Sequence, residues 1–325
     1  MGSRIVSSGS YLPARCLTNA DLEKVVDTSD EWIVRRTGIR TRYHLAEGEE
    51  PAVMGIEAGK RALAQSDASP ESVDLLIAAT NFPDMICPGS APFIAAGLGF
   101  DQTPFFDLKA GCSGFVYGLA VADGLISSGM YKRVLLIGHE ALSRVTDWSD
   151  RKTCVLFGDG AGAVLLEPAP AGTGVLGSAL YGDNSKAFLL HLPAGGTKSP
   201  ASHSTVDERG HYLRMEGAGV FRSAVPMMER ATRGALVAAS LTLADVDWLI
   251  PHQANLRIID SLIKRLKFDR ERVVVNLDRV ANTSTASIPI ALDEALRQGR
   301  IVAGSVVVLT AFGAGATYGA VVIRT

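Results

Sequence analysis

The feature that most restricts how this chain can fold is an internal duplication. Residues 72–81 (SVDLLIAATN) and 245–255 (DVDWLIPHQAN) share one pattern, an entry turn followed by a short apolar strand and a polar strand end. At nearly equal distances downstream, each copy is followed by a strand, a loop of small residues and a helix. In the first copy this unit is residues 105–122 with Cys112 in the loop; in the second it is 273–287 (VVVNLDRVANTSTAS), where Asn282 takes the mirrored place. A third pair matches CVLFGDGAGAVLL (154–166) with VVVLTAFGAGATYGAVVI (306–323), both expected to be strand, glycine turn and strand. Two similar strand-and-helix halves, 1–170 and 171–325, meeting where Pro and Gly cluster at 167–177, imply an α/β fold. Corresponding elements would end around a pseudo-twofold axis, and a site there draws on both halves.

Cys112 is the first candidate for chemistry. Small residues (Ala110, Gly111, Ser113, Gly114) surround it where the strand 105–108 gives way to an apolar helix. Free backbone N–H groups and the positive end of a helix favour thiolate over thiol, so a reactive sulfur is expected here rather than a space-filling one. Composition narrows the setting. At 325 residues with 47% apolar content, the chain can bury a large two-part core. No apolar stretch approaches the length of a membrane span, and the N-terminal residues show neither a secretory core nor a myristoylation pattern, which points to the cytoplasm and away from membranes. The four cysteines (Cys16, Cys87, Cys112, Cys154) form no C-x-x-C pair, so no metal site and no disulfide framework is indicated. A net charge of −2 argues against nucleic acid as a partner. The GDGAGA run at 158–163 fits a loose dinucleotide pattern, but that pattern needs a helix at its last glycine, and 163–168 (AVLLEP) reads as a short strand stopped by proline.

Taken together these motifs resemble the β-ketoacyl-acyl-carrier-protein synthase III family of thiolase-like condensing enzymes. The similarity runs nearly end to end: TSDEWIVRRTGI (28–39), CSGF (112–115), FGDGAG (157–162), PHQAN (251–255), NTS (282–284) and the closing glycine hairpin. The resemblance implies a duplicated, five-layered αβαβα fold and a homodimer. It implies an acyltransferase that joins an acyl-CoA primer to malonyl-acyl-carrier-protein with loss of CO₂, initiating fatty acid synthesis. CoA enters as a thioester substrate, with no resident cofactor. By the same resemblance Cys112 is the nucleophile, His252 and Asn282 are donors to the enolate oxygen, Ala314 offers a backbone N–H to the oxyanion, and Phe312 shields the thiol. Trp32 and Arg151 are expected to hold the adenine of CoA between them, with Arg36 on its phosphates. Gly217, Phe221, Ala254 and Asn255 would line the pantetheine tunnel, the amide of Asn255 meeting the amides of the arm. Arg222, Arg257, Lys264 and Arg265 are candidates to dock an acidic carrier protein, though such a run also suits an ordinary solvated helix face. Cys87 lies in the loop 81–88, which in the family crosses a dimer boundary to cap the acyl pocket; a small side chain there suggests room for a longer primer.

Other readings remain open from the sequence. A Cys/His/Asn set also describes papain-like thiol hydrolases. The same catalytic residues would serve a starter-unit condensing enzyme or acyltransferase of a polyketide-type pathway, or a relative that has lost condensation altogether.

Overall fold

The computed structural model describes residues 2–325. Its first sheet holds β1 (Gly2–Tyr11), β2 (Leu75–Ala79), β3 (Phe105–Leu108), β4 (Val134–Glu140) and β5 (Gly160–Ala169) in the order β1-β5-β4-β2-β3. The second holds β6 (Gly174–Gly182), β7 (Trp248–Pro251), β8 (Val306–Gly313) and β9 (Thr317–Arg324) in the order β7-β8-β9-β6. Both sheets combine a parallel pair, β2 with β4 and β7 with β8, with antiparallel neighbours, β4 with β5 and β8 with β9. One sheet lies wholly before residue 170 and the other wholly after it.

Helices complete the correspondence. The longer ones are α1 (Asp30–Thr37), α2 (Ala52–Ala64), α3 (Ala91–Gly97), α4 (Gly114–Ser127), α5 (Gly217–Ala238), α6 (Leu256–Leu266) and α7 (Ser287–Arg297). Three apolar cores separate the layers. Ala58 and Ala62 of α2 and Ile94 of α3 pack on the outer face of the first sheet; Met228 and Ala231 of α5 and Ile259 and Leu262 of α6 cover the second. Between the sheets, Phe115 and Leu119 of α4 meet Ile288 and Leu292 of α7. The result is the five-layered αβαβα arrangement that the family resemblance implies. Because each sheet is covered on both faces, β2 and β4 are buried along their whole length, which is why their sequences read as continuous apolar runs rather than as alternation.

Three sequence expectations fail. Residues 154–156 form turns and Phe157 an isolated bridge, not a strand: the true counterpart of β8 is β4, and a long connection separates it from β5. That segment instead docks on the other half, where Asn282 N–H donates to Leu156 O at 3.0 Å and Gly158 N–H to Asn282 O at 3.0 Å. Residues 273–275 do not form a strand either. Only Val273 bridges Leu249 of β7, so the second sheet stops one strand short of the first. Finally, β5 runs through Pro168 to Ala169; pairing with β4 ends at Leu166, so proline sits where β1 alone is the neighbour.

Candidate active site

Cys112 sits between β3 and α4, where two glycines set the backbone. Gly111 has φ +56°, and a β-carbon on it would overlap the backbone of Ala314; one on Gly313 would overlap the backbone N of Cys112. Only without side chains at both positions can the turn after β8 press against the Cys112 loop. That contact aims the N–H of Ala314, together with that of Cys112, at the sulfur. Ala314 itself is outside the positive-φ region, so alanine is tolerated there.

The thiolate expectation does not hold in the free protein. Cys112 is 8% exposed, and burial pushes its thiol up to about 11. Ser284 Oγ, 3.3 Å from Sγ, and the two N–H groups favour the thiolate, but the loss of water outweighs them.

His252 follows β7 directly, its N–H donating to Thr310 O at 2.8 Å. Burial alone carries its imidazole down to about 3, so the ring is neutral. Nδ1 lies 2.6 Å from Ser287 Oγ, at the start of α7. Gln253 N–H also donates to that hydroxyl at 3.4 Å, so the network assigns the hydroxyl proton to Nδ1 and the ring proton to Nε2, on the cavity side. Asn282 is held by both halves through the backbone contacts given above. Its Oδ1 accepts from Ser284 N–H at 2.9 Å, which fixes the carboxamide and leaves Nδ2 as the donor end.

These three side chains line one cavity of about 760 Å³. Phe312 borders it, buried to 8% exposure beside them. Toward the mouth come Gly217, Phe221, Ala254, Asn255, Trp32 and Arg36, then Arg222 and Arg257. Asn255 differs from expectation: Oδ1 caps α6 through Arg257 N–H (2.9 Å) and Nδ2 donates to Arg36 O (3.1 Å), so its amide already braces the wall. The guanidinium of Arg151 stacks on Trp32 at 5.1 Å and that of Arg36 lies 5.8 Å from the same ring. Arg151 therefore occupies the face where a base was expected. Arg222 pairs loosely with Glu216, Arg257 covers Phe221, Arg265 is tied to Glu229 and Lys264 is exposed. Cys87 is exposed on its loop, away from the cavity of its own chain.

Sequence reasoning passed over four residues here. Lys152 adds a cation to the mouth; its only signal was adjacency to Arg151. Ser287 orients the histidine, and Asn81 and Glu140 meet beneath Cys112. An acidic residue closing the largely apolar β4 was the one visible hint.

Models of 3-oxoacyl-[acyl-carrier-protein] synthase III match residues 106–184, and models of its C-terminal part match 236–325. A β-ketoacyl-[acyl-carrier-protein] synthase III from Caldanaerobacter subterraneus subsp. tengcongensis is 49% identical over 320 residues, 98% of this chain and 97% of the relative. The crystal structure of the Aquifex aeolicus VF5 3-oxoacyl-[acyl-carrier-protein] synthase III superposes with TM-score 0.92 at 44% identity, covering 100% of both chains. The priming β-ketosynthase of the R1128 polyketide pathway is also similar, with TM-score 0.91 and 36% identity over 99% of this chain and 96% of that one. With the duplicated fold, the Cys112 junction and this agreement along its length, the chain belongs to the 3-oxoacyl-[acyl-carrier-protein] synthase III family.

Proposed function

We infer that the protein catalyses decarboxylative condensation of an acyl-CoA primer with malonyl-acyl-carrier-protein, the step that initiates fatty acid synthesis. The observation that carries this is the convergence of buried Cys112, neutral His252 and an oriented Asn282 on one cavity. Cys112 attacks the primer thioester, and the N–H groups of Cys112 and Ala314 pass from the sulfur to the oxyanion. CoA leaves and the acyl group stays on sulfur. Malonyl thioester then enters and loses CO₂, leaving an enolate whose oxygen meets His252 Nε2–H and Asn282 Nδ2–H. Each donor contributes about 3–4 kcal/mol in a water-excluded site. A neutral imidazole suits this role better than a base, because a donor that never titrates in the working range serves at every pH. The enolate carbon attacks the acyl group, and the Cys112 thiolate is released.

Trp32 and Arg36, with Lys152 beside them, form the cationic, aromatic mouth that suits a nucleotide, and Arg151 joins once displaced. The exposed cations Arg222, Arg257, Lys264 and Arg265 provide a docking face for an acidic carrier protein. Edge strand β3 leaves Phe105 (46% exposed) and Phe106 (38%) uncovered, and Met85 and Ile86 on the Cys87 loop are exposed as well, surfaces that fit a second copy of the chain. In that homodimer the Cys87 loop would reach the partner's acyl pocket. Thioester exchange and decarboxylation are redox-neutral, so the reading needs no resident cofactor, and dependence on CoA thioesters supports a cytoplasmic setting. Among the described residues, no helix is long and apolar enough to cross a membrane.

Purified protein given acyl-CoA and labelled malonyl-acyl-carrier-protein should release CO₂ and CoA in equal amounts with a β-ketoacyl product. Hydrolysis of either thioester without a new carbon–carbon bond would overturn the reading in favour of a thiol hydrolase. The similarity to a priming β-ketosynthase keeps starter-unit condensation for a polyketide as the second reading; competition between fatty-acid and polyketide carrier proteins separates the two.

A further inference from the structure

Acylation raises a question that His252 does not answer. A buried thiol must lose its proton as it attacks, and the imidazole makes no hydrogen bond to Cys112; its own partner is Ser287. On the other side of the sulfur lies a continuous polar path. Ser284 Oγ is 3.3 Å from Cys112 Sγ and 3.1 Å from Oε1 of Glu140, a side chain with no exposed surface at the end of β4. The same Oε1 receives Thr285 Oγ1 at 3.2 Å, the N–H of Asn81 at 3.1 Å and the Asn81 carboxamide, which also reaches Ser284 Oγ at 3.3 Å. Ser284 has φ +50°, a conformation serine adopts only where its surroundings impose it, and strain of this kind collects at working sites.

We propose that Ser284 and Glu140 form a proton relay that takes the Cys112 proton during acylation, holds it while the acyl group is on sulfur, and returns it when condensation expels the thiolate. Ser284 touches the reacting sulfur; Glu140 acts through it as the positioning and storing residue. The inference rests on the condensing reaction proposed above. The step balances. As the S–C bond forms, the thiol proton passes to Ser284 Oγ while the hydroxyl proton passes to Oε1, and the departing CoA thiolate takes a proton from water. When the enolate attacks, the acyl S–C bond breaks and the stored proton travels back to sulfur. One external proton is consumed per turnover. A hydroxyl can accept from a thiol and donate to a carboxylate, or reverse both, by rotating.

Proton affinities agree with the geometry. Burial raises Glu140 to about 7, against about 3 for His252, so a proton leaving Cys112 rests far better on the carboxylate. Asn81, Thr285 and Ser284 are uncharged, and His139, the preceding residue on β4, faces the other side of the strand toward Asp84 and Asp107. The thiol is therefore the titratable group that faces the carboxyl.

The test is the pH profile of single-turnover acylation of Cys112 by acyl-CoA, followed by intact mass and CoA release between pH 5.5 and 9. Wild type should quicken as pH rises through a step near neutrality and then level off, because the acceptor must be ionised. Glu140→Gln keeps the shape but cannot accept a proton. It should acylate about 100-fold more slowly at pH 7 and lose the step, its rate climbing tenfold per pH unit with the thiolate fraction, so that the deficit narrows in alkali. Ser284→Ala should behave alike, and answers alone if the glutamine variant does not fold. A wild-type profile in Ser284→Ala, or a neutral step surviving in Glu140→Gln, overturns the relay and leaves the condensing reaction standing. Absence of any acyl group on wild-type Cys112 overturns both.

Discussion

Asn282→Asp separates a hydrogen-bond donor from its shape. The change is isosteric, and Oδ1 can still accept from Ser284 N–H, which now holds it at 2.9 Å. What changes is the other end, where an oxygen replaces the Nδ2 donor that faces the cavity. In ionised form the variant lacks one of two enolate donors, a loss of about 3–4 kcal/mol, or roughly 10²–10³ in the decarboxylation rate, with like-charge repulsion in addition. The site is only 6% exposed, so burial raises the new carboxyl above its usual range, as it does for Glu140 nearby. Below that raised value the acid is neutral and its O–H can donate in place of the lost N–H. Decarboxylation by Asn282→Asp should thus recover as pH falls and collapse as pH rises. Wild type keeps its His252 and Asn282 donors throughout, since His252 charges only near 3. The assay is CO₂ release from labelled malonyl-acyl-carrier-protein between pH 5.5 and 8.5, with intact mass showing that Cys112 still accepts an acyl group. Activity within about threefold of wild type at pH 8, or loss of acylation as large as the loss of decarboxylation, would refute the assignment of Asn282 to the enolate.

Cys112→Ala should carry no acyl group at any primer concentration, which intact mass checks directly. Ser287→Ala removes the hydroxyl that fixes the His252 tautomer, and should lower the condensation rate about two- to tenfold, the worth of one hydrogen bond, as steady-state kinetics will show. Arg36→Ala and Arg151→Ala should raise KM for acyl-CoA several-fold with little change in kcat, because contacts remote from the reacting carbon bind ground and transition states alike. An unchanged KM in both removes the CoA assignment. Cys87→Phe should shift preference from longer primers toward acetyl-CoA across an acyl-CoA panel. Each buried methylene is worth about 0.8 kcal/mol, so two or three suffice for a tenfold change; a wild type that prefers acetyl-CoA and ignores the substitution sinks the open-pocket idea.

Much of the fold could be read because duplication is a pattern in the chain itself. The apolar runs of β2 and β7 and the small-residue junctions at Cys112 and Asn282 recur in order, and recurrence survives without knowing what packs against what. The reading failed where an element owes its form to a distant partner. CVLF at 154–157 has strand composition, yet its backbone pairs with Asn282 from the other half and never enters a sheet. Residues 273–275 are β-branched, yet pairing with β7 is confined to Val273. The meeting of Cys112, His252 and Asn282 at one place was likewise legible. Their protonation was not. The helix-start argument favours a thiolate at Cys112, and the surrounding layers reverse it by excluding water; the same exclusion holds His252 neutral and brings Glu140 near neutrality. The order of motifs along the chain thus determined the fold class and which residues meet in the cavity. Proton affinities, and the path through Ser284 that joins two of them, came only from tertiary packing, because desolvation depends on every atom around a group and on none of its neighbours in sequence alone.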